Sequence, residues 1–154
     1  MTPYFEHMLA EMKIRYPSFS NTWEETRAEF GASWQAEFEA NIANLIEAGM
    51  LTPDEALDGY AEFCTDALRS QIFFERNRRY KASNYAAVAA EYYHNVEFMN
   101  RAYLPGMFLS HFVWPHHHRM LLWFGELMKG LDGKVEAFAE VGVGFMFAPN
   151  HHPA

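Results

Sequence analysis

Apolar residues recur at intervals of three and four along most of the chain, and this spacing is typical of helices with one buried face. The first such segment covers residues 3–15, and its apolar side consists of Phe5, Met8, Leu9 and Met12. Proline cannot continue a helix because its ring removes the backbone N–H. The sequence therefore predicts a short amphipathic helix that ends before Pro17.

A longer helical pattern follows and runs to Gly49, a residue type that commonly ends helices. Thr22 and Glu25 have the spacing of a capping box at its start. Its apolar positions are Trp23, Phe30, Trp34, Phe38, Ile42, Leu45 and Ile46. Gly31 within it costs about 1 kcal/mol relative to alanine, but the periodicity continues past it. We therefore expect one uninterrupted helix.

Thr52, Pro53 and Glu55 form a second helix-start signal, with an N-cap, a first-turn proline and the acid of a capping box. The buried face predicted for this helix consists of Leu57, Tyr60, Cys64, Leu68 and Ile72. We expect the helix to extend to about Tyr80.

The most regular apolar stripe follows and consists of Tyr85, Val88, Tyr92, Val96, Met99 and Tyr103. It predicts another helix, which Leu104, Pro105 and Gly106 interrupt. A short helical turn over residues 107–113 ends near Pro115, and a last helical pattern runs over residues 116–128. One face of that last helix consists of His117, Leu121, Phe124 and Met128, so we expect His117 to point inward and His118 to lie on the neighbouring face.

After a loop, residues 135–141 have the alternation of a strand, the one convincing strand pattern in the sequence. The expected fold is therefore mainly α, a helical bundle of about five helices with one C-terminal strand-like segment. We expect two units: a helical domain over residues 1–133, and a strand with a glycine turn over residues 134–154.

Composition narrows the functional classes. The chain has 154 residues, a formal net charge of −8 and a pI near 5.4, which argues against nucleic-acid binding because phosphate contacts need a basic surface. Its single cysteine, Cys64, fits a reducing cytoplasm. The sequence predicts no signal peptide and no membrane span. Aromatic residues at 17% and nine methionines suit a bulky core, a ligand cavity or a partner surface.

The segment FAEVGVG, residues 138–144, combines an apolar run, an acid and a Gly-x-Gly turn. It resembles the first motif of class I S-adenosylmethionine-dependent methyltransferases, and the helices before it resemble the lid that some of these enzymes place over their substrate. The resemblance implies S-adenosylmethionine as cofactor, with Glu140, Gly142 and Gly144 as its binding residues. Met146 stands where the family often has a third glycine, and neither a helix start nor a second strand follows. We therefore expect this chain to contain only part of the cofactor site and not to bind S-adenosylmethionine alone.

For such an enzyme, His111 and His117 are the candidate catalytic residues, because imidazole titrates near neutrality and can act as a general base. Candidate substrate-pocket residues are the aromatic side chains of Tyr92, Tyr103, Phe108 and Trp114. The consecutive histidines at positions 116–118 point about 100° apart on a helix and cannot all bind one metal, so no metal site is expected there.

Two other functions stay open. Glu91 and His94 have the Glu-x-x-His spacing of carboxylate-bridged di-iron bundles, so a small metal-dependent oxidase is one alternative, with Glu62 and His111 or His117 as further ligands. A second Glu-x-x-His motif is absent from the sequence. The other alternative is a non-catalytic helical module for ligand binding or assembly. Expected partners are a small-molecule substrate and further copies of the chain, with neither nucleic acid nor membrane.

Overall fold

A computed structural model describes residues 3–81 and 84–135, and the regular structure in these ranges is helical throughout. The helices are α1 (Tyr4–Arg15), α2 (Asn21–Glu47), α3 (Pro53–Asn77), α4 (Tyr85–Val88), α5 (Val96–Phe98), α6 (Leu104–Val113) and α7 (Pro115–Leu131). A 3₁₀ turn covers Pro17–Phe19, and two π-helical turns cover Ala89–Tyr93 and Met99–Tyr103. Mainly helical architecture, as predicted, is thereby confirmed.

The C-terminal prediction falls almost wholly outside the described ranges. Apart from Val135, the strand predicted over residues 135–141 lies beyond them, as do the glycine turn and the second unit. The resemblance to a methyltransferase motif therefore stays a prediction.

The core of the bundle is a cluster of aromatic rings contributed by α1, α2 and α6. The Phe5 ring lies 5.1 Å from Trp34 and 5.4 Å from Phe38 between ring centroids, edge to face in both cases. Phe38 also meets Phe112 of α6 at 5.7 Å. The buried Trp34 indole donates a 3.0 Å hydrogen bond to the Phe112 carbonyl, so its N–H is satisfied by the backbone of α6.

The start of α1 is capped from a distant part of the chain. Pro3 precedes the helix and provides no side-chain cap. Instead, the carboxylate of Glu39 on α2 accepts hydrogen bonds from the backbone N–H groups of Tyr4 and Phe5, both at 2.8 Å. An anion at this end of a helix also complements its dipole, so Glu39 fixes α1 against α2.

The two predicted capping boxes have different outcomes. At the start of α3, the Thr52 side chain accepts from the Glu55 N–H at 3.2 Å and the Glu55 carboxylate accepts from the Thr52 N–H at 2.8 Å, which confirms that box. The box at Thr22 is wrong. The 3₁₀ turn leads directly into α2 at Asn21, so Thr22 already lies inside the helix, where its hydroxyl donates to the Phe19 carbonyl instead.

The prediction of one uninterrupted α2 is also wrong, although both halves are helical as expected. Gly31 has φ 71° and ψ −153°, a conformation essentially restricted to glycine, and it kinks the helix. At the far end, the N–H groups of Gly49 and Met50 bond back to Ile46 and Leu45, and Gly49 has φ 65°. These two bonds make a Schellman cap, so the expected C-terminal glycine is confirmed.

Two predicted apolar stripes are only partly buried. In the distal half of α3, Leu68 and Ile72 are 53% and 38% exposed, because this part of the helix extends beyond the core. The stripe over residues 85–103 does not form one helix. Asn84 and Asn95 accept backbone N–H groups of Ala87 and Phe98 through their side chains, so the chain starts a new helix at each of them.

Helix α6 packs closely on α3 because Gly106 faces Phe63. A Cβ atom added at Gly106 would lie 2.3 Å from the Phe63 Cβ, so no larger residue fits there.

Helix α7 lies at the edge of the bundle. His118 is its one buried residue, while the predicted inner face of His117, Leu121, Phe124 and Met128 is half-buried. Met120, Trp123 and Leu127 are 64%, 66% and 42% exposed.

None of the helices within the described residues is long and apolar enough to cross a membrane.

Candidate functional site

The break between α6 and α7 brings several polar and aromatic side chains together. Pro115 is the first residue of α7, and Trp114 before it is extended, with φ −106° and ψ 114°, as expected for a residue preceding proline. The chain therefore turns sharply here. The last turn of α6 and the first turn of α7 contribute Ser110, His111, Trp114, His116 and His117, which we call the imidazole corner.

His117 is held by Ser110. The Ser110 hydroxyl donates to the Met107 carbonyl at 2.8 Å, and the Nδ1 atom of His117 lies 3.2 Å from the Ser110 oxygen. Because the hydroxyl proton is used on Met107, His117 is the donor in the second contact, and its Nε2 atom carries the lone pair. This tautomer leaves Nε2 as an acceptor, with no partner of its own in the described part of the chain.

The charge state of His117 follows from its surroundings. Burial, together with the neighbouring imidazoles of His116 and His111, lowers its pKa to about 4. The imidazole of His117 is therefore neutral at pH 7. It is a weak base but a permanent hydrogen-bond acceptor at physiological pH.

His111 lies beside His117, with 5.6 Å between the ring centroids. Its Nδ1 atom lies 2.7 Å from the same Met107 carbonyl that accepts from Ser110. One turn of α6 therefore orients both imidazoles, through Met107 and Ser110. The structure brings the two candidate catalytic histidines together, and their catalytic role stays a prediction.

Trp114 forms the aromatic wall of the corner. Its ring centroid lies 4.8 Å from that of His117, and it stacks on His116 at 5.7 Å and 22°. The indole N–H donates at 2.8 Å to the hydroxyl of Tyr60, whose pKa is raised by burial. The indole is thus locked to α3, which makes the wall rigid.

The four predicted pocket aromatics do not share one site. Tyr103 is one ring removed from the corner, since Phe63 lies 5.9 Å from both Tyr103 and Trp114. Tyr92 lies elsewhere, with its hydroxyl on Asp66 at 3.2 Å. Phe108 is 3% exposed and packs in the core, where it stabilises the fold. Of the four, only Trp114 belongs to the imidazole corner.

His118 corrects the prediction about which histidine points inward. It is 2% exposed, and its ring lies 4.6 Å from Phe30 of α2. Its Nδ1 atom has no hydrogen-bond partner among the described residues, and burial lowers its pKa. The predicted face of α7 is the half-buried one, and His118 beside it is buried because α7 contacts α2 as well as α6.

The metal-site alternative gains no support from the geometry. Glu91 pairs with Lys81 at 3.3 Å, and both Glu91 and His94 are exposed. Within residues 3–81 and 84–135, no group of three or more His, Cys, Asp or Glu side chains lies close enough together to hold a metal ion. The predicted cofactor residues Glu140, Gly142 and Gly144 lie outside these ranges.

Sequence reasoning missed Ser110 and the role of Tyr60 at the corner. Ser110 is seven residues before His117, a separation that places two residues on one face of a continuous helix. Because Pro115 interrupts the helical pattern between them, the sequence does not indicate that Ser110 and His117 lie on one face. Tyr60 and Trp114 are 54 residues apart in the sequence, and no local sequence pattern predicts their contact.

Comparison of the chain with protein-family models, with curated proteins and with solved structures gave no match.

Proposed function

We propose that the helical domain recognises a small-molecule substrate, as the substrate-binding portion of a protein that resembles class I S-adenosylmethionine-dependent methyltransferases. The observation that carries this proposal is the imidazole corner: a neutral His117 whose Nε2 is an acceptor, beside the rigid indole of Trp114. The FAEVGVG segment supports the choice of methyl transfer.

The corner suits the substrate better than the cofactor. Its five residues include no carboxylate to hold a ribose. When bound, S-adenosylmethionine supplies the methyl group, and Glu140, Gly142 and Gly144 are the residues proposed to hold it. The task left to the corner is to orient the substrate nucleophile and to take up its proton.

The proton step favours a hydroxyl as the methyl acceptor. A substrate O–H donates to Nε2 of His117 while the substrate packs on Trp114. Oxygen that forms a bond to a methyl group becomes an oxonium, a much stronger acid than an imidazolium with a pKa of about 4, so the proton passes to Nε2. A methylated amine is an ammonium, a weaker acid than this imidazolium, and keeps its proton. His117 then returns the proton to water.

The test uses ¹⁵N-histidine-labelled full chain and a matched pair of probes, phenol and benzylamine. We expect phenol to shift the Nε2 resonance of His117, because that atom accepts the hydroxyl proton, and Trp114→Ala to weaken the shift. His7 is an exposed histidine on α1 and serves as the internal control. Equal effects of phenol on His7 and His117 would contradict the proposed role of the corner.

Turnover is tested separately with labelled S-adenosylmethionine and the same probes. We expect any methyl transfer to go to phenol and to be lost in His117→Ala but retained in His7→Ala. Methylation of benzylamine in preference to phenol would overturn the proton step.

A second proposed function is self-assembly through α7, as an oligomer of this chain. Met120, Trp123 and Leu127 lie three and four residues apart and are all exposed, so they form one apolar strip on the outer side of α7. In sedimentation velocity, Trp123→Glu should lower the average mass at high concentration. Tyr80→Glu changes an aromatic that is 78% exposed and lies off this strip, and should leave the mass unchanged. A monomer at all concentrations would rule out this function.

The proposed location is the cytoplasm. The thiol of Cys64 is free and buried, and burial raises its pKa to about 11, so it is protonated and unreactive at neutral pH. An unpaired thiol of this kind is compatible with a reducing compartment. Disulfide-linked dimers in protein isolated under alkylating conditions would argue against it.

A further inference from the structure

A concave site lies between α3 and the segment that contains the π-helical turns. It is a cleft of about 590 Å³, within the size range of small-molecule sites. The α3 wall contributes Asp58, Ala61, Glu62, Thr65, Asp66 and Arg69, and Tyr16, Phe98 and Arg101 complete the lining. None of these residues belongs to the imidazole corner.

Two of the three carboxylates in the cleft are neutralised by arginine. Arg101 binds Glu62 with both of its terminal nitrogens, and the Nη2–Oε1 distance is 3.0 Å. Asp58 pairs with Arg15 and accepts the Tyr16 hydroxyl at 2.6 Å. These charges are used within the protein, so they offer little net attraction to a ligand.

The remaining two charged groups are not neutralised. Asp66 accepts only the neutral Tyr92 hydroxyl and has no cation within ion-pair distance in the described part of the chain. Arg69 forms no hydrogen bond or ion pair with another described residue. The two residues are three positions apart on α3 and therefore lie side by side on the wall of the cleft. The cleft thus presents one anion and one cation at adjacent positions.

The opposite wall comes from an unusual stretch of backbone. The first π-helical turn carries Tyr92, and the second carries Arg101 and directly follows Phe98. Tyr92 and Phe98 pack edge to face at 5.4 Å. π-Helical turns are rare and occur often at functional sites. Here the second turn lines the cleft through Arg101, and the first contacts the cleft wall through the hydrogen bond from Tyr92 to Asp66. Phe98 is part of the lining and provides an apolar surface beside the two charges.

We propose that this cleft binds a small aromatic zwitterion, such as an aromatic α-amino acid. Its ammonium group would pair with Asp66, its carboxylate with Arg69, and its ring would lie on Phe98. A ligand with only one charge would use one partner and leave the other without compensation. The specificity therefore lies in the presence of both charges on one molecule.

Three probes with the same phenol ring separate the contributions: tyrosine with both charges, tyramine with the ammonium alone, and 4-hydroxyphenylpropionate with the carboxylate alone. Titrations of the full chain by calorimetry should give a tyrosine affinity at least about tenfold higher than that of either other probe, since each charged contact adds about that factor. Similar affinities for the three probes, or no binding by tyrosine at millimolar concentration, would overturn the proposal.

Matched variants locate the charges. Arg69→Gln should lower the affinity for tyrosine to about that for tyramine, while tyramine binding stays unchanged. Asp66→Asn should lower the affinity for tyrosine to about that for 4-hydroxyphenylpropionate, while binding of that probe stays unchanged. Arg76→Gln alters an exposed arginine farther along α3, outside the cleft lining, and should leave all three affinities unchanged. If Arg69→Gln and Arg76→Gln behave alike, Arg69 does not bind the carboxylate and the assignment is wrong.

Discussion

At the scale of single residues, His118 is a buried titratable group whose hydrogen bonds do not fully replace those it would make with water. It is 2% exposed, its Nδ1 has no partner among the described residues, and its ring packs on Phe30. A charged imidazole in this position would lose its hydration, and this loss outweighs the hydrogen bond to the His111 backbone and the attraction of Glu29. The native state therefore holds His118 neutral, and half-buried His117 shares this preference.

This preference predicts that acid weakens the fold before the carboxylates titrate. The folded-state pKa values of both histidines lie below the unfolded value of about 6.5, so below that pH the unfolded chain binds more protons. The free energy of unfolding should be level above about pH 6.5 and should fall between about pH 6.5 and 4. Urea unfolding near pH 7.5 and near pH 5 measures the difference.

A matched pair of variants attributes the loss. His118→Leu should make the free energy of unfolding less sensitive to pH in this range, because the variant has no imidazole to protonate. His94 is exposed, and His94→Leu should retain the pH dependence of the parent chain. An unchanged pH dependence in His118→Leu would show that His118 is not held neutral by the fold.

At the scale of elements, the same Thr-x-x-Glu spacing occurs at the starts of two predicted helices and caps only one. Thr52→Ala should lower the free energy of unfolding by about 0.5–2 kcal/mol, because it leaves an N–H at the start of α3 without its acceptor. Thr22→Ala removes a hydroxyl that caps no backbone N–H and instead contacts the Phe19 carbonyl and the Tyr60 side chain, and should cost less. Thermal and urea denaturation of both variants check this. A larger loss in Thr22→Ala would contradict the observed helix starts.

The kink in α2 supports a second prediction about an element. Gly31→Ala should lower the free energy of unfolding by about 1–3 kcal/mol, because alanine disfavours φ 71° and ψ −153° even though the space around it is open. Gly125 also has open space around it but lies inside α7, where the same substitution should add about 0.5–1 kcal/mol. Opposite signs in urea unfolding are expected. A stabilising Gly31→Ala would mean that α2 is straight.

At the scale of the whole molecule, stability depends on the aromatic cluster that joins α1, α2 and α6. Phe38 lies at its centre, with ring contacts to Phe5, Trp23, Trp34 and Phe112. Phe38→Ala should lower the free energy of unfolding by about 3–5 kcal/mol through lost burial and a cavity. Ile14 is 75% exposed, and Ile14→Ala should change it by less than about 0.5 kcal/mol. A small loss in Phe38→Ala would place the core elsewhere.

Features that depend on interactions between near neighbours could be predicted from the order of residues alone. Four such features are the helical periodicity, the helix end before Pro17, the capping box at Thr52 and the cap at Gly49. Each involves residues within about one helical turn, so a short stretch of sequence is enough to predict it. The same reasoning selected His111, His117 and Trp114, which the structure brings together across Pro115.

Where the sequence permits several local arrangements, the packing of the helices against one another selects one of them. The helical periodicity passes through Gly31 undisturbed, and the kink there appears only in the folded chain. The inward turn of His118 depends on Phe30, and the cleft depends on a pair such as Arg101 with Glu62, 39 residues apart. Such contacts are selected by the packing of whole helices, because an individual side chain gains too little locally to determine its distant partner.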